Sequence, residues 1–422
     1  MGEREAPSVK ARPTAEDQGL VILKGLKVVE FATYIAAPGA AGVLGDWGAE
    51  VIKIERPGGD DMRHVFADAK SALSANPTFE MDNRGKRSVV LDITKPEGRE
   101  AVAKLAATAD VFITNVRPAS LKRAGLDEAS LRPANPRLIY ALVTGYGLEG
   151  PDAHKPGFDV TAFWSRAGVA RMTTPKGEDP FLLRTGFGDH ITSLATTSAI
   201  LAALYEREQT GVGRMVQTSL LATGTYTVGS DLAVQLRFGR LSSNRSRREP
   251  LNPMANFFQS AEGRWFVTNP RGGSVDWVAM VTAAGRPDLL EDPRFASGRL
   301  RKDNSAALTL AFDEAFAALS WDEITARLDA ADLVWAPVQT PAEVAADPQV
   351  RASGALVQVE NAEGGFGDSP AAPAQFPGVD LSRRPSAPGL GQHTRAILTE
   401  LGYGPEAVEA MIAAGAAGVA EA

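Results

Sequence analysis

The first candidate for chemistry is a carboxylate that follows two glycines, in the stretch Gly186-Phe187-Gly188-Asp189. Directly after it, residues 192–208 contain neither Gly nor Pro and are rich in Ala and Leu, which predicts a buried helix. An acid at a helix N-terminus lies in the positive end of the helix dipole, so Asp189 is predicted to stay ionised and can act as a nucleophile. The local sequence by itself favours a plainer alternative, in which Asp189 is only the N-cap of this helix.

Charge and composition restrict the kinds of ligand. The chain has 422 residues, 44% of them apolar, and a net charge of −7, which argues against general binding of nucleic acid or of a membrane surface. It has no cysteine, which excludes disulfides, thiolate metal sites and a cysteine nucleophile. Its four histidines are not paired at ligand spacing, so no metal site is predicted. A polyanionic ligand would therefore need a local cluster of basic residues.

The N-terminal segment carries no targeting signal. Residues 1–19 are polar and mixed in charge, without the apolar core of a signal peptide, and no apolar stretch of about 18 residues or more occurs in the sequence. We therefore expect a flexible tail over 1–22, a cytoplasmic protein and no membrane partner.

The elements that must position Asp189 alternate between strands and helices. Strands are predicted at 26–32, 50–55, 88–92, 110–114, 137–143 and 215–220, and helices at 36–47, at 95–108 and from 121 onward. This alternation predicts an α/β fold with a large doubly wound, Rossmann-like parallel sheet, in which ligands bind at the carboxyl ends of the strands. The loop after the first strand lacks G-x-G-x-x-G, so NAD and FAD are disfavoured.

Basic residues recur where the predicted strands end. They are Arg56, the cluster 83–88 (NRGKRS), Arg117, Lys122 and Arg123. Each by itself is more simply a solvated surface residue. Their recurrence along one edge of the sheet of an acidic protein favours a ligand that carries phosphate groups.

The chain changes character after residue 235. An Arg- and Ser-rich stretch, 237–248, is typical of a linker. Beyond it, a strand at 264–268 and helices at 275–284, 305–319 and 321–330 predict a smaller α+β domain. A further buried strand is predicted at 333–338.

Five short motifs, taken together, resemble the class III CoA-transferase family, which includes formyl-CoA transferase and carnitine CoA-transferase. They are 48–58 (GAEVIKIERPG), 83–88 (NRGKRS), 135–140 (NPRLIY), 210–214 (TGVGR) and 389–394 (GLGQHT). Their order and spacing are specific as a set, and the resemblance extends from Leu23 to Tyr403. It implies an enzyme that transfers coenzyme A from an acyl-CoA donor to a carboxylic acid acceptor, with no permanently bound cofactor.

The resemblance reverses the preference for an N-cap at Asp189. In the family the nucleophile is an aspartate in a Gly-Asp pair that opens the long helix, and Asp189 is the matching residue. This implies a mixed aspartyl-acyl anhydride, then an aspartyl-CoA thioester, and finally transfer of CoA to the acceptor acid. A carboxylate is a weak nucleophile, so the chemistry needs positioning and an oxyanion site, which N–H groups of a glycine-bearing loop can supply.

The resemblance also implies contacts with CoA. The matching residues lie in loops that follow the strands: Ile35, Arg56, Leu91, Asp92, Thr94, Lys95, Asn115, Val116, Arg117, Arg123, Gly157, Phe158 and Asp159. Among them, Arg56 would contact the nucleotide, and Lys95 would replace a lysine that the family carries nearby on the adenine side. The loop at 157–159 would line the pantetheine.

Departures from the family pattern bear on the substrate. Many members carry Gln where this chain has Ile35, a departure that bears on how the anhydride is oriented. Oxalate-specific members carry a longer glycine run than Gly272-Gly273, so a larger or more apolar acid is expected. The main alternative is an α-methylacyl-CoA racemase, which shares the fold and the aspartate. Its catalytic histidine is replaced here by Phe158, which cannot relay a proton. His190 is the other candidate base, although successive helical residues point in different directions. A third alternative is a CoA-binding protein without catalysis.

The resemblance finally implies an interlocked homodimer, in which each chain threads through a ring made by the other. The large CoA-binding domain would comprise 23–225 and 335–422, and the small domain 250–330. Linkers at 226–249 and 331–334 would join the two domains. No nucleic-acid partner is expected.

Overall fold

The computed structural model describes residues 22–65, 76–271, 274–361 and 364–419. They fall into two compact units. The first comprises the chain up to Val169, Leu182–Gly229 and the chain from Ala352 onward. The second comprises Ala170–Phe181 and Ser230–Arg351.

The strands are β1 (Lys27–Phe31), β2 (Glu50–Glu55), β3 (Arg87–Leu91), β4 (Val111–Thr114), β5 (Ile139–Thr144), β6 (Met215–Ser219), β7 (Asn256–Gln259), β8 (Trp265–Thr268), β9 (Trp335–Pro337), β10 (Leu356–Glu360), β11 (Phe366–Pro370), β12 (Arg383–Arg384) and β13 (Ala417–Gly418). The α-helices are α1 (Ala36–Asp46), α2 (Pro77–Asn83), α3 (Pro96–Thr108), α4 (Pro118–Ala124), α5 (Glu128–Leu131), α6 (Val169–Thr173), α7 (Phe187–Thr210), α8 (Leu220–Thr227), α9 (Gly229–Phe238), α10 (Ser274–Ala283), α11 (Asp288–Glu291), α12 (Gly298–Asp303), α13 (Ser305–Ala317), α14 (Trp321–Ala330), α15 (Pro341–Ala346), α16 (Pro348–Ala352), α17 (Thr394–Glu400) and α18 (Pro405–Ala413). A π-helical turn spans Asp159–Arg166.

A seven-stranded sheet organises the first unit, with the order β13-β3-β2-β1-β4-β5-β6. β1 to β6 are parallel, and β13 pairs antiparallel with β3. The predicted doubly wound parallel sheet is therefore confirmed. The strand order reverses between β1 and β4, so the loops after these two strands flank the point where such sheets bind ligands.

The apolar sequences of the strands follow from burial on both faces of the sheet. Ile139 and Leu142 of β5 are almost inaccessible to solvent, and Val102 and Leu105 of α3 belong to the same buried layer as Leu142. At the edge, Leu398 of α17 completes this layer from the C-terminal part of the chain. The core is thus closed by residues from both ends of the chain.

Close packing of α1 on its neighbours depends on two glycines. A Cβ atom on Gly39 would lie 2.5 Å from the hydroxyl oxygen of Ser193 in α7. A Cβ atom on Gly42 would lie 2.7 Å from the main-chain oxygen of Asp82 in α2. The missing side chains therefore allow the first half of α7 and the end of α2 to approach α1 closely.

The second unit has a three-stranded antiparallel sheet, β7-β8-β9. Its core is aromatic and is formed by Phe258, Phe266, Phe312 and Phe316. Strand β9 is shorter than predicted and pairs with β8. Residues 335–351 group with this unit, whereas the sequence prediction assigned them to the large domain.

Two other predicted boundaries also differ from the structure. The predicted linker at 226–249 contains helix α9 (Gly229–Phe238), because the linker composition begins only after that helix. Residues 170–181, predicted within the large domain, group with the second unit. Sequence composition indicated the change of domain after residue 235, but it gave no sign that residues 170–181 group with the second unit.

Candidate active site

Helix α7 begins at Phe187, and its N-cap is Gly186, not Asp189 as the local sequence favours. Gly186 has φ 91°, in the left-handed region that a residue without Cβ adopts most easily. Asp189 is the third residue of the helix, inside its first turn. The N-cap interpretation of Asp189 is therefore wrong.

The carboxylate that caps α7 comes instead from Asp159. Its oxygens accept hydrogen bonds from the N–H groups of Gly186 at 3.1 Å and of Gly188 at 3.1 and 3.2 Å. Burial raises the pKa of Asp159, and the N–H groups of Gly188 and Gly186 offset part of that rise. The positive end of the helix is thus occupied by Asp159. These N–H groups are consequently not available as the oxyanion donors that a glycine-bearing loop was expected to supply.

Asp189 has an unusual pKa for an aspartate. Burial, together with the charges of Asp159 and Asp82, raises it to about 7, and His190 lowers it only in part. The expectation that the helix dipole keeps Asp189 ionised is wrong, first because burial disfavours the charged form and second because the Asp159 carboxylate lies nearby. Near neutral pH, Asp189 is balanced between its protonated and ionised forms.

His190 lies closer to the site than its place on the helix suggested. Its Nε2 atom is 3.1 Å from Oδ1 of Asp82, which is buried in α2. Burial lowers the pKa of His190, but the hydrogen bond and charge of Asp82, with the charge of Asp189, outweigh burial and raise it. No sequence spacing relates Asp82 to His190, so sequence analysis missed Asp82.

The first turn of α7 leaves no room at Gly188. A Cβ atom there would lie 2.3 Å from the ring of Phe163, which is fully buried, and 2.5 Å from Oδ1 of Asp159. Position 188 therefore requires glycine if Asp189 is to keep its place.

We expect Gly188→Ala to lower the free energy of unfolding by about 1–3 kcal/mol, the usual cost of overpacking. We expect kcat/KM to fall about 10²-fold, because a displacement of about 1 Å of a reacting group costs this much. Thermal unfolding and steady-state kinetics measure the two effects. Gly367→Ala is the matched control, since a Cβ atom on Gly367 meets nothing within 4 Å. Equal behaviour of the two variants would contradict the tight packing at 188.

The loops that carry the predicted CoA-binding residues lie along one edge of the sheet. Following the strand order, they come after β3 (92–95), β2 (Arg56), β1 (Ile35) and β4 (115–117), and then beside β5. The last of these loops reaches β5 because Gly157 packs on Gly145, where a Cβ atom would lie 2.7 Å from the neighbouring Cα. Four strand spacings amount to roughly 19 Å. This length of edge suits an elongated ligand.

Four basic side chains of this edge are directed at least partly to solvent. Arg56 pairs with Asp61, and Arg123 donates to the Ser120 hydroxyl. Arg117 is exposed at the start of α4, and Lys95 donates to the carbonyl of Ala414.

Several predicted contact residues have internal partners. The Asn115 amide accepts from the N–H of Thr33 at 3.1 Å and donates to its carbonyl at 2.7 Å, which joins the loops after β4 and β1. Asp92 accepts hydrogen bonds from Thr94, and the N–H of Val116 donates to the Thr114 hydroxyl. These bonds fix the shape of the sheet edge.

The side chains of Ile35 and Leu91 are packed inside the protein. Both are buried, at 2% and 1% exposure. A Cβ atom on Gly186 would lie 3.3 Å from the Cδ1 atom of Ile35, so the Ile35 side chain packs against the turn before α7. Leu91 belongs to the hydrophobic layer of the sheet.

The cluster 83–88 is structural, and its interpretation as a phosphate site is wrong. Arg84 is buried against Asp46, with Nη2 2.5 Å from Oδ2. Arg87 pairs with Glu400 at 2.6 Å and with Glu50 at 2.9 Å. These acids lie far away in sequence or on other elements, so the sequence showed the cations without their partners.

A buried charge network lies under the carboxyl ends of β1 and β2. The Nζ atom of Lys53 is 2.7 Å from Oε1 of Glu30 and 2.8 Å from Oδ2 of Asp60. The Nζ atom of Lys86 is 2.5 Å from Oε2 of Glu30. Asp60 also accepts the N–H of Tyr34 at 3.0 Å. The network therefore holds the loop after β1.

Tyr34 was not identified from the sequence. Its φ of 66° is uncommon for a bulky residue and is maintained by the hydrogen bond to Asp60. Its ring packs edge-on against Phe158, with centroids 5.7 Å apart. Both rings are partly exposed, at 38% and 54%. They form an apolar wall next to Ile35 and Asp159, which contact the turn before α7.

The fold and the candidate site define a member of CoA-transferase family III, to which this chain belongs. The model of that family, described as CoA-transferase family III, matches residues 23–394, which confirms the resemblance seen in the motifs. The protein is accordingly an enzyme of the CoA-transferase class, whose substrates are CoA thioesters.

Similar proteins support the same class. The chain is 35% identical over 390 residues to the (R)-2-hydroxy-4-methylpentanoate CoA-transferase of Clostridioides difficile, covering 92% of this chain and 97% of that protein. It is 31% identical to the cinnamoyl-CoA:phenyllactate CoA-transferase of Clostridium sporogenes, covering 92% and 95%. A crystal structure of a CAIB/BAIF family protein from Brucella suis superposes with a TM-score of 0.80 at 32% identity, covering 90% of this chain and 99% of that one. Within the described residues, no helix is both long and apolar enough to span a membrane.

Proposed function

We propose that the protein transfers CoA from an acyl-CoA to a carboxylic acid through covalent intermediates on Asp189. The observation that carries this proposal is a partly buried carboxylate with a pKa of about 7 in the first turn of α7, next to the edge where a Rossmann-like sheet binds ligands. Both the position and the perturbed pKa are typical of a reacting group.

The proposed reaction exchanges one bond at a carbonyl carbon in each step. The ionised Asp189 attacks the acyl carbon of the thioester, forming an anhydride and releasing CoA thiolate. The thiolate attacks the Asp189 carbonyl, which gives an aspartyl-CoA thioester and the free donor acid. The acceptor carboxylate then attacks this thioester, which forms a second anhydride and releases CoA thiolate. The thiolate attacks the acceptor acyl carbon of that anhydride, which gives the new acyl-CoA and restores the Asp189 carboxylate. No proton is consumed overall, so no external acid or base is needed.

We propose that CoA lies along the carboxyl edge of the sheet. The nucleotide phosphates would meet the cations Arg56, Lys95, Arg117 and Arg123, and the pantetheine would pass Gly157 and Phe158 toward Asp189. The exposure of these arginines, and the lack of an acidic partner for Arg117 and Arg123 within the described residues, support this path. Asp159 would support this path by capping α7, and its side chain would not line the bound CoA.

We further propose that the acid substrates carry an apolar or aromatic side chain. Tyr34 and Phe158 form an apolar wall next to Ile35 and Asp159, which contact the turn before α7, and the Phe187 ring is 53% exposed. The similar enzymes from Clostridioides difficile and Clostridium sporogenes act on 2-hydroxy-4-methylpentanoate and phenyllactate by name, which agrees with this class. The glycine pair Gly272-Gly273, considered for substrate selection, lies outside the described residues.

A homodimer is part of the proposal. The outward side of α7 exposes Leu194 and Tyr205, and Tyr226 of α8 is 89% exposed. Exposed large apolar side chains on these two helices favour contact with another protein surface. Light scattering that finds a single 44.5 kDa chain at assay concentration would contradict the dimer.

The direct test is trapping of the intermediate. The protein is incubated with a panel of acyl-CoAs, treated with hydroxylamine or borohydride, and the modified peptide is mapped by mass spectrometry. A modification at Asp189 supports the transferase. No adduct in the wild type, together with deuterium uptake at the α-carbon of a branched acyl-CoA, would support the racemase alternative instead.

The pH dependence of the first half-reaction is a further prediction. Only the ionised form of Asp189 attacks, and that form gains population as pH rises through its pKa of about 7. We therefore expect kcat/KM for the acyl-CoA to rise with pH and level off about one unit above the midpoint. A midpoint near that of an ordinary aspartate, about 4, would show that the buried carboxylates do not control the reaction.

A further inference from the structure

One imidazole lies among three carboxylates at the start of α7. The ring of His190 contacts Asp82 and lies within electrostatic reach of Asp159 and Asp189. If all three acids were ionised, one positive charge would face three negative charges in a largely buried space. Among the residues the structure describes, no group of three or more His, Cys, Asp or Glu side chains is arranged to hold a metal ion.

The three acids differ in how well their ionised forms are supported. Asp159 accepts hydrogen bonds from two N–H groups of the α7 turn. Asp82 accepts from His190, and Lys86 lies close enough to interact with its charge. The carboxylate of Asp189 accepts no hydrogen bond within the described residues. The nucleophile is therefore the acid whose ionisation depends most on a nearby cation.

His190 is the one cation among the groups that act on Asp189. The other two groups are the carboxylates of Asp159, on the π-helical turn, and Asp82, on α2. Helix α1, which also packs here, has no charged residue in its first turn. The basic residue of the π-helical turn, Arg166, is paired with Asp152. Loss of the His190 charge would thus leave Asp189 facing only negative groups.

The surroundings of His190 favour its protonated form. Nε2 faces a carboxylate oxygen of Asp82, and the carbonyl of Gly186 also acts on the ring. A neutral imidazole donates from only one nitrogen, whereas the imidazolium donates from both. Two acceptors around one ring therefore select the charged form.

We propose that His190, clamped as an imidazolium by Asp82, is a positioning residue that provides the positive charge allowing Asp189 to ionise in place. This inference rests on the proposed function of Asp189 as the nucleophile. It assigns Asp82 a role through His190, and it explains why a histidine directly follows the nucleophile. A purely structural alternative is that the pair only ties α2 to α7.

The test separates charge from hydrogen bonding by comparing His190→Gln with His190→Lys. Gln keeps a donor for Asp82 but has no charge, whereas Lys keeps the charge with a different geometry. The rate of Asp189 adduct formation is followed against pH. We expect His190→Gln to raise the pH midpoint of adduct formation by about 1 unit or more, which is the effect of losing an opposite charge nearby. At one pH unit below the wild-type midpoint, adduct formation in His190→Gln would then be roughly tenfold slower than in the wild type. His190→Lys should retain the wild-type pH midpoint, because it keeps a positive charge at this position.

The matched control is His154→Gln, the same substitution at an exposed histidine, and its profile should equal that of the wild type. An unshifted midpoint in His190→Gln would overturn the inference while leaving the adduct, and hence the proposed function, intact. Absence of an adduct in the wild type would instead contradict the proposed function. The two failures are therefore distinguishable.

A second measurement does not need a folded His190 variant. The chain has four histidines, so the NMR signal of His190 can be assigned by replacing the other three in turn. We expect its titration midpoint to fall in Asp189→Asn, because that substitution removes a negative charge near the ring. An unchanged midpoint would show that the two side chains do not act on each other, and would overturn the inference.

Discussion

Asp189→Asn is expected to abolish CoA transfer, with kcat lowered by about 10⁴-fold or more, as when other covalent nucleophiles are removed. The amide has nearly the shape of the carboxylate but no anionic oxygen, so it cannot form the anhydride with the acyl group. Steady-state assays with an acyl-CoA and an apolar acid measure the loss. Mapping of the trapped peptide should show no modification at position 189.

Protein stability provides the control for this variant. The folded-state pKa of Asp189 is raised to about 7, above its ordinary value near 4. The carboxyl group therefore favours folding at low pH, and this contribution is lost as pH rises through about 7. Above that pH, Asp189→Asn should unfold at a temperature no lower than the wild type does. An inactive variant with a lower unfolding temperature would point to a structural defect, and an active variant would rule out Asp189 as the nucleophile.

Lys53→Met is expected to cause the largest loss of stability, about 3–5 kcal/mol in the free energy of unfolding. The Lys53 side chain is fully buried and lies within 2.8 Å of both Glu30 and Asp60. Without its ammonium group, Asp60 loses its only cationic partner within the described residues, and Glu30 retains only Lys86. Denaturation in urea measures the effect as a lower midpoint.

The matched control for this prediction is Lys104→Met on the surface of α3. Lys104 pairs with Glu100, and both side chains are about half exposed. Such a pair contributes about 0–1 kcal/mol, so the control should unfold close to the wild type. If the two lysine variants unfold at the same urea concentration, the buried network does not stabilise the fold.

The sheet was predictable because its information is local. Strand β2 was predicted at its observed limits, 50–55, and the alternation of strands with helices predicted the parallel pairing of β1 to β6. The two-residue strand β13 lacks a periodic pattern, and its pairing with β3 joins segments far apart in the chain. Such pairings are not encoded in any short window of sequence.

The candidate site was predictable only in part, for an electrostatic reason. The motif around Asp189 was found, but its charge state depends on Asp159 and Asp82, which come from separate elements. The sequence likewise showed Arg84 as a cation but not the buried partner Asp46. A charged side chain acts through whatever lies within a few ångströms of it, and that neighbourhood exists only after folding.

The backbone at Tyr34 has a consequence for the thermodynamics of binding. The unusual φ is maintained by a hydrogen bond to Asp60, whose position is fixed by Lys53. Both the N–H and the carbonyl of the neighbouring Thr33 are hydrogen-bonded to the Asn115 side chain. The loss of conformational entropy at this loop thus occurs when the chain folds and not when an acyl group arrives. Acyl-CoAs should consequently associate with this wall at similar rates, and preference among them should appear as differences in residence time.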